Sequence, residues 1–342
     1  MTSSALGYFV SHEPEPHAER TRHLLKAHPE AKDLIGYTPT TFLHVLWISG
    51  LQFILAAWIG PQAWWKILSL AFVVGACAHH ALFMFFHEAT HNLIFRTNQA
   101  NCWAGILANL PVIFPGAVGF RKFHLMHHKY QGEMDWDADL SGPREAAWVG
   151  RSPFRKGLWL FAFVFVEGVI RPARLKHVQF IDRWILLNLF MEVLASTAVV
   201  LYLGWGALAY LVLSTLIGVG PHPLGGRWIQ EHYVVKPGQE TYSYYGPANW
   251  LIFNTGYHNE HHDLMSVPWS RLPKIKALAP ELYENLYSHK SYTKLLWRFF
   301  TDPDMTLFSR VVRPSRPGPK GRKTLVQVDQ EKIFREVETS VS

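Results

Sequence analysis

Four stretches of this sequence are long and apolar enough to cross a bilayer, and they come in two pairs. Residues 41–59 and 63–86 are joined by Gly60-Pro61-Gln62, and residues 184–203 and 205–220 are joined at Gly204. A helical span takes roughly 20 residues, and hydrocarbon offers exposed backbone no partner, so each run must be a helix and each pair a hairpin. The expected fold is an all-α integral membrane protein with four transmembrane helices in two hairpins. Trp64 and Trp65 open the second run as interface anchors. Glu192, in the middle of the third run, should face the bundle interior, because a carboxylate is costly in lipid. Residues 102–120 are apolar but broken by Pro111, Pro115 and glycines, which predicts a re-entrant or interfacial segment. Residues 158–170 are short and contain Glu167, and are expected as an interfacial helix.

Charge sets the orientation. The net charge is +7, and 22 of the 33 Lys and Arg sit before residue 41, in residues 121–183 and in the tail from residue 311, while the inter-helix turns carry almost none, Lys66 being the exception. The positive-inside rule places those three regions in the cytosol. No nucleic-acid-binding motif accompanies the charge, so no nucleic acid partner is expected. Three parts follow: a cytosolic amphipathic segment over residues 1–40, a membrane domain over 41–310, and a basic tail over 311–342. The helical pattern from His17 to Lys32 fits a helix lying on the membrane surface or a solvated one. The tail, with Arg313, Arg316, Lys320, Arg322 and Lys323 among Pro and Gly, is expected to be disordered near anionic headgroups. The first forty residues are polar, without a secretory signal, so the N-terminus is expected to stay cytosolic. Cys77 and Cys102 lie in or beside apolar runs and indicate neither a disulfide nor a thiolate site.

Three blocks of histidine lie at the cytosolic ends of these runs. They are His87 and His91 in HEATH, His124, His127 and His128 in HLMHH, and His258, His261 and His262 in HNEHH. Spacings of three and four residues put the imidazoles of each block on one helix face. Every imidazole needs a partner for both nitrogens, which a protein core cannot supply at that density and a metal can. Eight histidines exceed the needs of one ion, so two are expected. Imidazole with few carboxylates suits iron that activates dioxygen, whereas structural zinc would want cysteines that are misplaced here. His232, in the EHY after the fourth run, is a ninth candidate. Glu88, Asn92, Glu231, Asn259, Glu260 and Asp263 sit beside these histidines as candidates to orient imidazole N–H groups or hold a water. His79 and His80, two turns before His87, are expected to be interior hydrogen-bonders. The HPLGG at His222 is an interrupted likeness of the cytochrome b5 haem motif without a surrounding soluble domain. No Gly-rich nucleotide motif follows a strand, so reducing equivalents must come from another protein.

HEATHN, FHLMHHKYQG, EHY and ETYSYYGPANWLIFNTGYHNEHHD resemble the sphingolipid Δ4-desaturase branch of the membrane fatty acid desaturases. The likeness runs from about Pro14 to Arg313 and includes EPHAERTRHLLKAHPEAK near the N-terminus. It implies a cytosolic di-iron cap with His87, His91, His124, His127, His128, His232, His258, His261 and His262 as ligands to two iron ions. It also implies dioxygen as oxidant, electrons from cytochrome b5 and its NADH-dependent reductase or a bacterial equivalent, and a trans C4–C5 double bond made in the sphingoid base of dihydroceramide. The membrane would be the endoplasmic reticulum in a eukaryote and the inner membrane in a bacterium. Two departures stand out. Arg227 follows Gly226 where that branch has histidine, which bears on the site or on headgroup recognition, and Thr2 stands where myristoylation needs glycine. C4-hydroxylation of the same lipid, or oxidation of a fatty acyl chain or carotenoid, would use the same histidines. A membrane metal carrier would need a polar path through its spans, and only Asn188 and Glu192 stand out.

Overall fold

The computed structural model describes residues 2–3, 7–175, 178 and 181–316. Helix α1 is His17–Ala27. Helices α2 (Thr41–Ile59) and α3 (Trp64–Thr90) form the first hairpin, and α3 passes through a π turn at Ala71–Gly75. Helices α4 (Asn98–Asn109) and α5 (Ala117–Tyr130) follow. The second hairpin is α6 (Arg183–Leu203) and α7 (Trp205–Val219), and α7 is continued by a short turn into α8 (Arg227–His232). Helix α9 is His258–Asp263 and α10 is Tyr292–Thr301.

The four spans expected from hydropathy are all present, and the chain is a multi-pass membrane protein. Trp47, Trp58, Trp64, Phe190, Leu201 and Trp205 are exposed along them, the outward apolar surface a bilayer requires. Between the hairpins the packing is close. A Cβ on Gly206 would lie 2.0 Å from the Gly60 carbonyl oxygen, so the two turns touch backbone to backbone, as small residues allow between membrane helices. Inside the bundle the Tyr210 hydroxyl donates to Gln52 at 3.0 Å. Glu192 is buried, as its charge demanded.

The broken apolar segment is a sharp bend. Helices α4 and α5 meet at 117°, and Asn109 holds the corner. Its Nδ2 donates to the Phe114 carbonyl at 2.7 Å, while its Oδ1 accepts from the Gly116 and Ala117 amides at 3.0 Å each. Backbone polar groups freed by the break are thereby satisfied in an apolar setting. The bend delivers α5, with the second histidine block, to the same end of the bundle as the C-terminus of α3. The apolar segment expected as one interfacial helix is instead Pro153–Phe161, Phe163–Phe165 and a π turn at Val166–Ile170, with Glu167 paired to Arg171 at 2.7 Å.

The remainder forms a cap over that end. Helix α1 does not stand free: Leu24 packs with Leu264, Val267, Ile275 and Tyr283 beside the third histidine block. Strand β1 (Phe9–Val10) pairs in parallel with Val311–Val312, tying the N-terminal segment to the start of the tail. Arg313 is buried and pairs with Glu240 at 2.6 Å, and Arg316 pairs with Glu133 at 2.7 Å. The basic tail is therefore ordered through residue 316, because its first two arginines have buried carboxylate partners. Lys320, Arg322 and Lys323 lie outside the described residues.

Candidate metal centre

Four elements bring the histidines together. The C-terminal turn of α3 presents His87 and His91, α5 presents His124, His127 and His128, α8 ends in His232, and α9 carries His258, His261 and His262. The ring nitrogens of His87, His91, His124, His128 and His261 lie within 4.8 Å of one another, and so do those of His127, His232 and His262. His258 joins the second group, its Nε2 lying 3.0 Å from His232 Nε2. All nine predicted ligand candidates thus fall into two adjacent nests of five and four.

The geometry inside the nests suits metal rather than mutual hydrogen bonding. Nε2 meets Nε2 at 3.0 Å between His124 and His128 and between His127 and His232, and at 3.1 Å between His128 and His261. With a metal–imidazole bond of about 2.1 Å, two ligands at right angles have nitrogens about 3.0 Å apart. His232 Nε2 faces two such neighbours and has a single site to share, and His91 Nε2 and His262 Nε2 are buried with no hydrogen-bond partner among the described residues. Burial pushes His91, His258 and His262 well below the usual imidazole range and His261 down to about 3. Neutral imidazole is the form that ligates a metal.

Around the nests, one carboxylate acts directly on a candidate ligand. Asp137 Oδ1 lies 2.9 Å from His127 Nδ1 and also accepts from the Asp139 amide, while its Oδ2 accepts from the Gly132 amide. This partner was not singled out from the sequence; the signal was the alternating run Glu133, Asp135, Asp137, Asp139 directly after the second block. Of the six flanking residues proposed for that work, Glu231 comes nearest, 3.8 Å from His258 Nδ1. The others serve the scaffold. Glu88 accepts from the Trp269 amide at 3.1 Å, and Glu260 accepts from Ser243 at 2.7 Å and Tyr245 at 2.5 Å. Burial raises Glu260 to about 7. Asn259 is held by Arg20 and Thr241, whereas Asn92, with a left-handed backbone at φ 58°, keeps a buried Oδ1 without a hydrogen-bond partner among the described residues. Asp263 receives His17 Nδ1 at 2.7 Å, Arg20 Nε at 2.6 Å and the Tyr283 hydroxyl at 2.9 Å. Burial would raise its pKa, but His17 and Arg20 outweigh that and hold the carboxyl low. The His17 ring also packs on His262, with centroids 4.7 Å apart. His79 and His80 stay outside the nests as interior hydrogen-bonders, to Thr215 at 2.8 Å and to the Gly218 carbonyl at 3.2 Å.

Both nests open on one cavity of about 80 Å³. Phe83, Phe86, Phe114, Phe120, Phe163 and Trp228 form its apolar wall, His87 and His124 reach it from one nest, and His127, His232 and His258 from the other.

Residues 62–293 match the family model described as fatty acid desaturase, and residues 8–40 match the one described as sphingolipid Delta4-desaturase. The sphingolipid delta(4)-desaturase DES1-like of Oryza sativa subsp. japonica is 41% identical over 309 residues, covering 90% of this chain and 93% of its own. The sphingolipid delta(4)-desaturase DES1 of Drosophila melanogaster is 37% identical, covering 88% of this chain and 94% of its own. The Homo sapiens sphingolipid delta(4)-desaturase/C4-monooxygenase DES2 is 37% identical, covering 90% of this chain and 95% of its own.

Proposed function

Given that the chain belongs to the fatty acid desaturase family and, within it, to the sphingolipid Δ4-desaturase branch, we propose that it is an oxidoreductase that inserts the C4–C5 double bond into the sphingoid base of a dihydroceramide-type lipid. The observation that carries this reading is the shared cavity, whose apolar wall suits a methylene chain and whose lining includes imidazoles of both nests. His87, His91, His124, His128 and His261 would hold one iron ion, and His127, His232, His258 and His262 the other. Bound there, the two ions supply activation of dioxygen and hydrogen abstraction from unactivated methylenes. The balanced reaction takes one dioxygen, two electrons and two protons for each alkene and two waters formed.

The chain's own residues position and exclude. Asp137 keeps the proton of His127 on Nδ1 and so turns Nε2 to the site, the role an outer carboxylate plays for a ligating imidazole. Phe83, Phe86, Phe120 and Phe163 hold the chain against the nests and keep water away, and such placement decides which methylene reacts. The electrons come from cytochrome b5 or a comparable donor, since the sequence carries no nucleotide motif of its own. The basic segments orient the cap to the cytosol, at the endoplasmic reticulum of a eukaryote or the inner membrane of a bacterium.

Expression in yeast lacking its own sphingolipid-modifying oxidases, followed by lipid mass spectrometry, tests the reading. Loss of two hydrogens from the sphingoid base, not the N-acyl chain, is the expected result. Gain of one oxygen at C4 would assign the hydroxylase outcome that the human relative's name includes. Unchanged sphingoid bases beside altered acyl chains would overturn the substrate.

A further inference from the structure

Arg227 is 3% exposed and lines the cavity beside the nests. Its Nε donates to His80 Nε2 at 3.1 Å, and its Nη1 pairs with Glu231. The guanidinium lies 3.8 Å from the centroid of Trp228 and 5.0 Å from that of Phe83, so ring faces pin its plane. The remaining nitrogen, Nη2, is buried and has no hydrogen-bond partner among the described residues. A buried charged donor left unmade is costly, and folds retain one where a ligand completes it.

We propose that Arg227 Nη2 donates to an uncharged hydroxyl oxygen of the lipid headgroup, and so sets how far the substrate chain runs along the cavity. This rests on the functional reading above and adds to it the residue that sets specificity. The oxygen is uncharged because Glu231 already balances the guanidinium. Asp139 and Glu167 also stand in the cavity wall, where Arg227 is the only Lys or Arg among the described residues. Asp139 is paired with Arg310, and Glu167 with Arg171, which leaves a phosphate or carboxylate no cation of its own. The anchor is also close to the nests. Glu231, which pairs with Arg227, lies 3.8 Å from His258 Nδ1, so the guanidinium and a candidate ligand are one carboxylate apart. A hydroxyl held there brings only the first few methylenes beyond the headgroup alongside His232 and His258, which places the reacting bond near the headgroup rather than deep in the chain.

The test uses the full chain in yeast microsomes, as wild type, R227M and R227K, normalised to iron content. Substrates are dihydroceramide, its 1-deoxy and 3-deoxy analogues, and dihydroceramide 1-phosphate. Wild type should turn over dihydroceramide with kcat/KM about tenfold to a hundredfold above one of the deoxy analogues, the range for a charge-assisted hydrogen bond, with the phosphate poorest. Both variants should flatten that ratio by losing more rate on dihydroceramide than on that analogue. R227K keeps a cation for Glu231, which separates loss of the contact from loss of the fold. A wild type indifferent to both hydroxyls, an active R227K with the wild-type ratio, or a phosphorylated lipid turned over best would each overturn the assignment. Wild type inactive on every sphingoid base would overturn the functional reading itself, a failure visible before any variant is compared.

Discussion

His127 Nδ1 lies 2.9 Å from Asp137 Oδ1 with both side chains buried, and this contact decides which nitrogen of the ring faces His232. Asp137→Asn keeps the size of the side chain but offers an amide that can no longer enforce one tautomer. Loss of an outer carboxylate typically costs about tenfold to a hundredfold in metal affinity. We expect D137N to remain folded in the membrane and to release part of its iron at a chelator concentration lower by that factor. Iron retention equal to wild type would remove Asp137 from the centre.

The Arg20–Asp263 pair joins the N-terminal helix to the third histidine block at 2.6 Å, with the Asp263 side chain fully buried. His17 and Tyr283 remain as partners when Arg20 is lost, so Arg20→Met should cost about 2 to 3 kcal/mol, below the usual penalty for breaking a buried pair. The thermal midpoint in detergent measures this. Glu19→Gln on the exposed face of the same helix is the control, and it should leave the midpoint in place.

The contact between Gly60 and Gly206 predicts a strong position effect within the spans. Gly206→Val drives a side chain into the Gly60 carbonyl and should cost about 1 to 3 kcal/mol or more as the hairpins part. Gly50→Ala, on α2 with nothing within 4 Å of the added methyl, should be neutral or stabilising by up to about 1 kcal/mol. Equal midpoints for the two variants would show that the hairpins do not pack as described.

The sequence made legible whatever is repeated or periodic. Four apolar runs predicted four spans, and histidines at spacings of three and four located every imidazole of the nests but His232, which stands alone in EHY. The burial of Glu192 followed from its charge alone. Relationships between distant residues were not legible. Asp137 reads as one member of an acidic run until α5 and the turn after it place it on His127. His17 and Arg20 look like part of a solvated helix, and only the folded cap shows them on Asp263. Arg313 and Arg316 have the composition of a disordered tail, yet each meets a buried carboxylate supplied from far along the chain. Even with Asp263 close to the block, nothing local indicates that it serves the N-terminal helix and not an imidazole.

His232→Ala probes the smaller nest. Its Nε2 stands between His127 and His258, so its loss should open that nest while leaving the five histidines of the other in place. Sphingoid-base desaturation should fall to background while the four spans still insert, as their hydropathy dictates. Near-normal turnover in H232A, measured by lipid mass spectrometry of the expressing yeast, would strike His232 from the site.

Desaturation here requires the two nests to hold iron, and metal analysis of the purified full chain tests that directly. After reconstitution with ferrous iron under anaerobic conditions, the nine converging imidazoles predict about two iron ions per chain. Less than one iron per chain, in protein that is folded and free of zinc, would contradict it.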